Sequence, residues 1–280
     1  MDISCFTVKP SPADDRDWIY SAVSENVPLE YDLRNLLRPI RNQGRHNSCF
    51  AMSACCMKEE QEKEDFNFNS YFSPKFFYSL RANIKDENKS NDEGMFARDV
   101  MKILQHTGVC TEELCPYENV DVPIIEEEKE KMIENSKLHR IKQYARIHDL
   151  QKLKKALVEN GVCLITFPVY SPQKVDFWNK SDGFTNHVGG HAVCVVGYTQ
   201  DAFIIRNSWG KYWGENGYCY YKFSDWGKHW EVWTTVDDKS EVSIILNKES
   251  TNENENTSEN ENKNELSCFE RFKRIIQRMY

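Results

Sequence analysis

Apolar positions in the first half of the chain recur at three- and four-residue spacing, the period of a helix with one buried face. Residues 48–64 fit this pattern, with Ser48 near the start and Ala51, Met52, Cys55, Cys56 and Glu59 at helical spacing. "SPKFFYSLRAN" predicts a second helix with Pro74 in its opening turn, and "FARDVMKILQHTG" a third that ends at Gly108 as its C′ residue. "EEEKEKMIENSKLHR", residues 126–140, reads as a solvated helix, and "HDLQKLKKALVENG" as an amphipathic one closed by Gly161. The texture then changes. "VCLITFPVY", "HAVCVVGYT", "AFIIRNSWG" and "GYCYYKF" are short β-branched and aromatic runs bounded by glycines, which predict strands. Helices followed by strands give an α+β fold of two lobes.

The pattern also marks boundaries. Residues 1–26 form a polar, Pro-interrupted arm in which Trp18, Ile19 and Tyr20 need a surface to bury on. Residues 27–247 read as one globular domain, mainly helical over 27–140 and mainly strand over 141–247. Residues 248–266 are an Asn/Glu tract that cannot build a core. Residues 267–280 are basic and amphipathic, with Phe269, Phe272, Ile276 and Met279 on one helical face beside Arg271, Lys273, Arg274 and Arg278. With Cys268 as a candidate acylation site, this segment is a candidate peripheral contact with a membrane or a protein.

Composition narrows the classes. A net charge of −8 argues against nucleic acid as a partner. No apolar run reaches the roughly 18–20 residues that span a bilayer. The start, "MDISCFTVKPSPADD", lacks a basic region and an apolar core, so no secretory signal is expected. The ten cysteines are then expected to be reduced, in an intracellular, cytoplasmic setting. The Asn/Glu tract suggests an AT-rich genome such as that of a large DNA virus or a protist, with the virion as a further candidate location. A monomer is expected.

Three cysteines crowd "NQGRHNSCFAMSACC". Cys55 and Cys56 are adjacent, so on a helix they diverge by about 100° and make neither a redox pair nor two metal ligands. They read as core. Cys49 instead stands where a polar loop hands over to a helix, so the helix dipole favours its thiolate and first-turn N–H groups can face an oxyanion. A thiolate nucleophile needs a base. His106, His139, His148 and His229 lie in unremarkable runs and are expected at the surface, and His46 is too close in sequence to face Cys49. His187 and His191 bracket "VGG", a poor helix with no third metal ligand in view, so no metal is expected. His191 opens a strand, and Asn207, at the end of the next, could accept its imidazole N–H.

These residues resemble the papain/cathepsin family of cysteine peptidases. The likeness runs from about Val27 to Asp237 through "NQGRHNSCFA", "GGHAVCVVGY" and "IIRNSWGKYWGENGYCYY", in the family order. It implies a papain-like two-lobe fold with the active-site cleft between a helical lobe and an antiparallel, barrel-like β lobe. Cys49 would be the nucleophile, His191 its base and acid, and Asn207 the group that orients the imidazole. Gln43 would donate to the oxyanion, Trp209 would shield the Asn207–His191 bond, and Gly94 and Gly190 would offer backbone to substrate. The chain departs from the family at His46, where a disulfide cysteine is usual, at Asn47 for glycine and at Phe50 for tryptophan. That bridge is therefore expected to be absent, as in disulfide-poor bacterial or viral-type members. Residues 1–26 stand where cathepsins carry a long prosegment and are candidates for a short inhibitory one. The implied activity is endopeptidase cleavage of a protein or peptide substrate through an acyl-enzyme, without a cofactor. A transglutaminase-like acyl transferase and a catalytically silent binding module are the alternatives. The "RNSWG" block favours the peptidase, and the four intact catalytic positions favour an enzyme.

Overall fold

The computed structural model describes residues 6–21, 26–83, 95–180 and 186–238. The expected Gly94, the Asn/Glu tract, Cys268 and the 267–280 segment lie outside them. The chain lays down β1 (Tyr31–Asp32), α1 (Cys49–Phe66), α2 (Pro74–Ser79), α3 (Ala97–His106) and α4 (Glu126–Lys137). It continues through β2 (Ile141–Ile147), α5 (Leu150–Asn160), β3 (Cys163–Val169), β4 (Gly189–Tyr198), β5 (Ala202–Arg206), β6 (Tyr218–Lys222) and β7 (Glu231–Asp237). The strands form an antiparallel sheet of order β2-β7-β3-β4-β5-β6, with β1 added beside β4. Helices and sheet together make the expected α+β, papain-like two-lobe fold.

The helices follow their local signals. Ser73 caps α2 by accepting from the Phe76 N–H at 3.0 Å, with Pro74 at the first position. Asp149 caps α5 in the same way through the Lys152 N–H. After α3, Gly108 takes φ +83, and both its N–H and that of Thr107 close on the Ile103 carbonyl.

Helix α1 is the axis of the molecule, packing against α2, α3, β3 and β4. It is buried from Cys49 to Glu62 on every face, which is why it carries no single apolar stripe. Its second half, Lys58 to Glu62, would suit a solvent face but lies between the lobes. Each side chain finds a partner there: Lys58 with Glu62 (3.2 Å) and Asp237, Glu59 with the Phe72 N–H, Glu60 with the Val162 N–H, and Gln61 with Thr235. Glu62 also meets His139 Nδ1 at 3.0 Å. His139 is therefore fully buried against Phe68 and Phe72 rather than at the surface, because a buried carboxylate needs a charge or a donor beside it. His229 is half-buried too, with Nδ1 2.9 Å from the Tyr221 hydroxyl, while His106 and His148 are exposed as expected. Strands β2 and β7 were not anticipated from the pattern. They pair with each other, and β7 also joins β3, so β7 is buried by its neighbours while edge strand β2 is buried only at Ile141 and Ile147. Among the described residues no helix is long and apolar enough to cross a membrane.

The amino-terminal arm is threaded through the fold. Thr7 makes a parallel bridge with Gly190, Ser11 bonds Glu231 through both N–H and Oγ at 3.1 Å, and Asp17 takes a two-pronged ion pair from Arg98 at 2.6 Å. Ile19 then bridges to Arg146 on the outer edge of β2. Of the apolar trio expected to bury here, only Tyr20 does so, with its hydroxyl on Glu159. Trp18 and Ile19 stay 76% and 59% exposed, because docking on a strand edge engages their backbone and leaves their side chains outside.

Candidate active site

Two loops are stitched together at the start of α1. The Gln43 N–H donates to the Ser208 carbonyl at 2.8 Å, and the Gly210 N–H donates to the Arg41 carbonyl at 3.1 Å. Asn42 and Trp209 form an antiparallel bridge. The loop that delivers Cys49 is thereby fixed against the one that delivers Asn207 and Trp209. Further along, the Cys194 thiol on β4 reaches the Ser53 carbonyl on α1 at 3.5 Å, tying the helix that begins at Cys49 to the strand that carries His191. The structure thus brings Gln43 to the loop of Asn207 and Trp209, and His191 to both of those residues, while Cys49 opens the helix that the Gln43 loop enters.

His191 Nε2 lies 2.8 Å from Asn207 Oδ1, and the Ser208 N–H donates to the same oxygen at 2.8 Å. Two converging donors fix the Asn207 amide with its oxygen toward the ring, so Nε2 carries the proton. Nδ1 of the neutral ring is then a lone pair, and it has no hydrogen-bond partner among the described residues. Trp209 stacks on the imidazole at 4.5 Å and 25°. Burial pulls the His191 pKa down to about 4, and the Asn207 bond offsets part of this, so the ring is neutral at pH 7.

Gln43 is buried and rigidly held. Its Oε1 accepts from Ser208 Oγ at 2.6 Å and its Nε2 donates to the His46 carbonyl at 2.9 Å, leaving one amide hydrogen for another acceptor. Cys49 is the first residue of α1, whose first turn has no acidic side chain. The eight cysteines among the described residues are free thiols, all buried. Burial pushes the Cys55, Cys110, Cys163 and Cys194 thiols upward, as suits core groups. Among the described residues no group of three or more His, Cys, Asp or Glu could hold a metal ion.

Two features escaped the sequence pattern. Tyr117 donates its hydroxyl to the Gln43 carbonyl at 2.8 Å and lies 2.6 Å from Ser48 Oγ, a role the sequence reading did not assign to it. Phe6 and Val8 lie against the strand that carries His191. The Gly190 N–H donates to the Phe6 carbonyl at 3.1 Å, and the Val8 N–H donates back to the Gly190 carbonyl at 3.4 Å. The Phe6 ring stands edge-on to His191 at 6.1 Å and to Trp209 at 5.9 Å. A side chain at position 190 would strike the Val8 carbonyl at 2.3 Å and the Trp230 ring at 2.2 Å, so glycine is what admits the arm so closely.

A cysteine thus begins α1, a histidine is oriented by a carboxamide, and a buried glutamine lies in the loop that leads to the cysteine. The Papain family cysteine protease profile matches residues 27–232, and the chain belongs to that family. It is 28% identical over 192 residues to an uncharacterized peptidase C1-like protein of Acanthamoeba polyphaga mimivirus, covering 63% of this chain. It is also 28% identical over 214 residues to Peptidase 1 of Dermatophagoides farinae, covering 71%. The chain spans 62% of the length of each of these two curated relatives. Among solved structures, xylellain, a cysteine protease from Xylella fastidiosa, superposes with a TM-score of 0.69 at 27% identity, over 83% of this chain and 96% of that one. Procathepsin B of Trypanosoma congolense shares the fold at 15% identity, with a TM-score of 0.67 over 85% of this chain and 88% of that one.

Proposed function

We propose that the protein is a cysteine endopeptidase that cleaves protein or peptide substrates through a Cys49 acyl-enzyme. The observation that carries this is His191, whose Nε2–H is fixed on Asn207 while Nδ1 keeps a free lone pair. Nδ1 takes the Cys49 thiol proton, and the thiolate adds to the scissile carbonyl. The oxyanion is met by the Cys49 N–H and the Gln43 amide; one such donor contributes about 3–4 kcal/mol. His191 returns its proton to the leaving amine, a thioester remains, and Nδ1 then deprotonates the water that releases the acid. The test is hydrolysis of a quenched peptide library under reducing conditions, beside amine incorporation and active-site thiol titration. Incorporation without hydrolysis favours an acyl transferase, and a thiol that resists titration favours a silent binding module.

The arm, in the same reading, is an intramolecular inhibitor acting through Phe6 to Val8. A cleaved peptide must place the part C-terminal to its scissile bond beside His191 and Trp209, because His191 hands a proton to the leaving nitrogen. Phe6 sits there, and the chain runs on to Val8, which packs in the cluster holding Cys49 and Ala192. The arm therefore lies in the opposite direction to a substrate. It fills the cleft and takes the Gly190 backbone groups without presenting a bond to cut. Phe6→Ala with Val8→Asp in the full chain should raise hydrolysis of small peptides; an unchanged rate leaves the arm a structural brace. A reducing intracellular setting, a monomer and a peripheral membrane or protein contact through 267–280 complete the proposal. Gel filtration tests the monomer, and liposome flotation of the full chain the contact.

A further inference from the structure

Helix α1 begins without the cap its sequence offers. Ser48 occupies the N-cap position, where a serine hydroxyl ordinarily accepts from an N–H two or three residues on, yet its side chain makes no such bond. Its Oγ lies 2.6 Å from the Tyr117 hydroxyl. A phenol has one proton, and Tyr117 gives it to the Gln43 carbonyl, so Ser48 is the donor to Tyr117. Burial pushes the Tyr117 pKa up to about 12, the Ser48 bond lowering it in part, so the phenol stays protonated at neutral pH. The ring is braced by His46, edge-on at 6.2 Å, and by the Arg41 guanidinium, 5.8 Å from its centroid. The Tyr117 N–H and Arg41 are both bonded to Glu112, at 2.8 Å each.

We propose that Tyr117 is a positioning residue for the nucleophile and the oxyanion site, an inference that rests on the peptidase reading. It acts in two ways. It clamps the 43–48 loop at both ends, joining the Gln43 carbonyl to the residue directly before Cys49, in a loop that has His46 and no disulfide. It also draws the Ser48 hydroxyl away from the helix end. A capping oxygen there would place negative partial charge against the first-turn N–H groups and offset the field that favours a thiolate at Cys49. With Ser48 turned to Tyr117, that field acts undiminished on the sulfur and on the developing oxyanion.

Tyr117→Phe keeps the ring packing and removes only the hydroxyl, freeing Ser48 to cap α1. In the full chain with the arm released by Phe6→Ala and Val8→Asp, kcat per titrated thiol should fall roughly tenfold, equivalent to about 1.4 kcal/mol, with KM within about twofold. The pH midpoint of Cys49 alkylation should rise by about half a unit, the size of one helix-end charge effect. A second variant, Tyr117→Phe with Ser48→Ala, should bring the midpoint back, since alanine cannot cap; a role confined to stability moves neither midpoint. An unchanged kcat and midpoint in Tyr117→Phe, or the same raised midpoint in both variants, overturns the proposal. The alkylation readout needs no turnover. A Phe6→Ala, Val8→Asp chain that never hydrolyses peptides would sink the peptidase reading while the midpoints still report on Tyr117.

Discussion

Acidification is expected to unseat the arm. With Phe6 to Val8 across the cleft, His191 has no exposed surface, and burial holds its pKa at about 4 against an ordinary 6.5. Once open to water, an imidazole titrates near the ordinary value. A seated arm thus keeps His191 neutral, and its advantage is full above pH 6.5 and lost progressively as the pH falls toward 4. From pH 7 to pH 4.5 the open-to-seated ratio should rise by roughly sixtyfold, or about 2.4 kcal/mol. Burying Phe6 and Val8 contributes about 3–6 kcal/mol before ordering costs, so a change of that size is large enough to matter. Hydrogen exchange of Cys49→Ala protein at the two pH values, corrected for intrinsic rates, reads the effect without self-cleavage. Protection over residues 6–11 should drop by tens of fold while β3 and α5 hold theirs. The arm's carboxylate contacts, Asp17 with Arg98 and Glu231 with Ser11, also face acid, so Cys49→Ala with His191→Gln serves as the comparison. Equal protection at both pH values, or an equal loss in the His191→Gln protein, refutes the reasoning.

Three further outcomes follow from the geometry. Gln43→Ala should lower kcat by about 10²–10³-fold with little change in KM, checked by steady-state kinetics. Lys58→Met should leave Glu62 and Asp237 buried without their cation and cost about 3–5 kcal/mol in urea unfolding. Because Lys58 and His139 outweigh burial and hold Glu62 below its ordinary pKa, that loss should be full at neutral pH and shrink as acid protonates Glu62. Mass spectrometry of alkylated, unreduced protein should find the eight described cysteines free; two or more protected pairs would contradict a reduced protein.

What could be read from sequence was whatever is encoded locally. Helix α1 announces itself through the spacing of Ala51, Met52 and Cys55, and the partners of Cys49 sit inside three contiguous motifs. What could not be read depends on residues far apart in the chain. Lys58 to Glu62 look solvated until Asp237, Val162 and His139 are brought to them, and His139 looks exposed until Glu62 is. Strand β7 is buried only once β2 and β3 pair with it. The arm was legible as a segment in need of a surface, but its apolar trio pointed to the wrong residues. Phe6 and Val8 dock beside His191 because Gly190 has no side chain and exchanges backbone bonds with them, whereas Trp18 and Ile19 remain in water.

The central claim is that Cys49 is the nucleophile of a peptidase. Cleavage of a dye-labelled peptide by the Phe6→Ala, Val8→Asp chain should be compared with the same chain carrying Cys49→Ala, under reducing conditions. The account predicts turnover that vanishes with Cys49 and persists when any other cysteine is replaced by alanine in a protein that still folds. Full hydrolysis by the Cys49→Ala chain would contradict it.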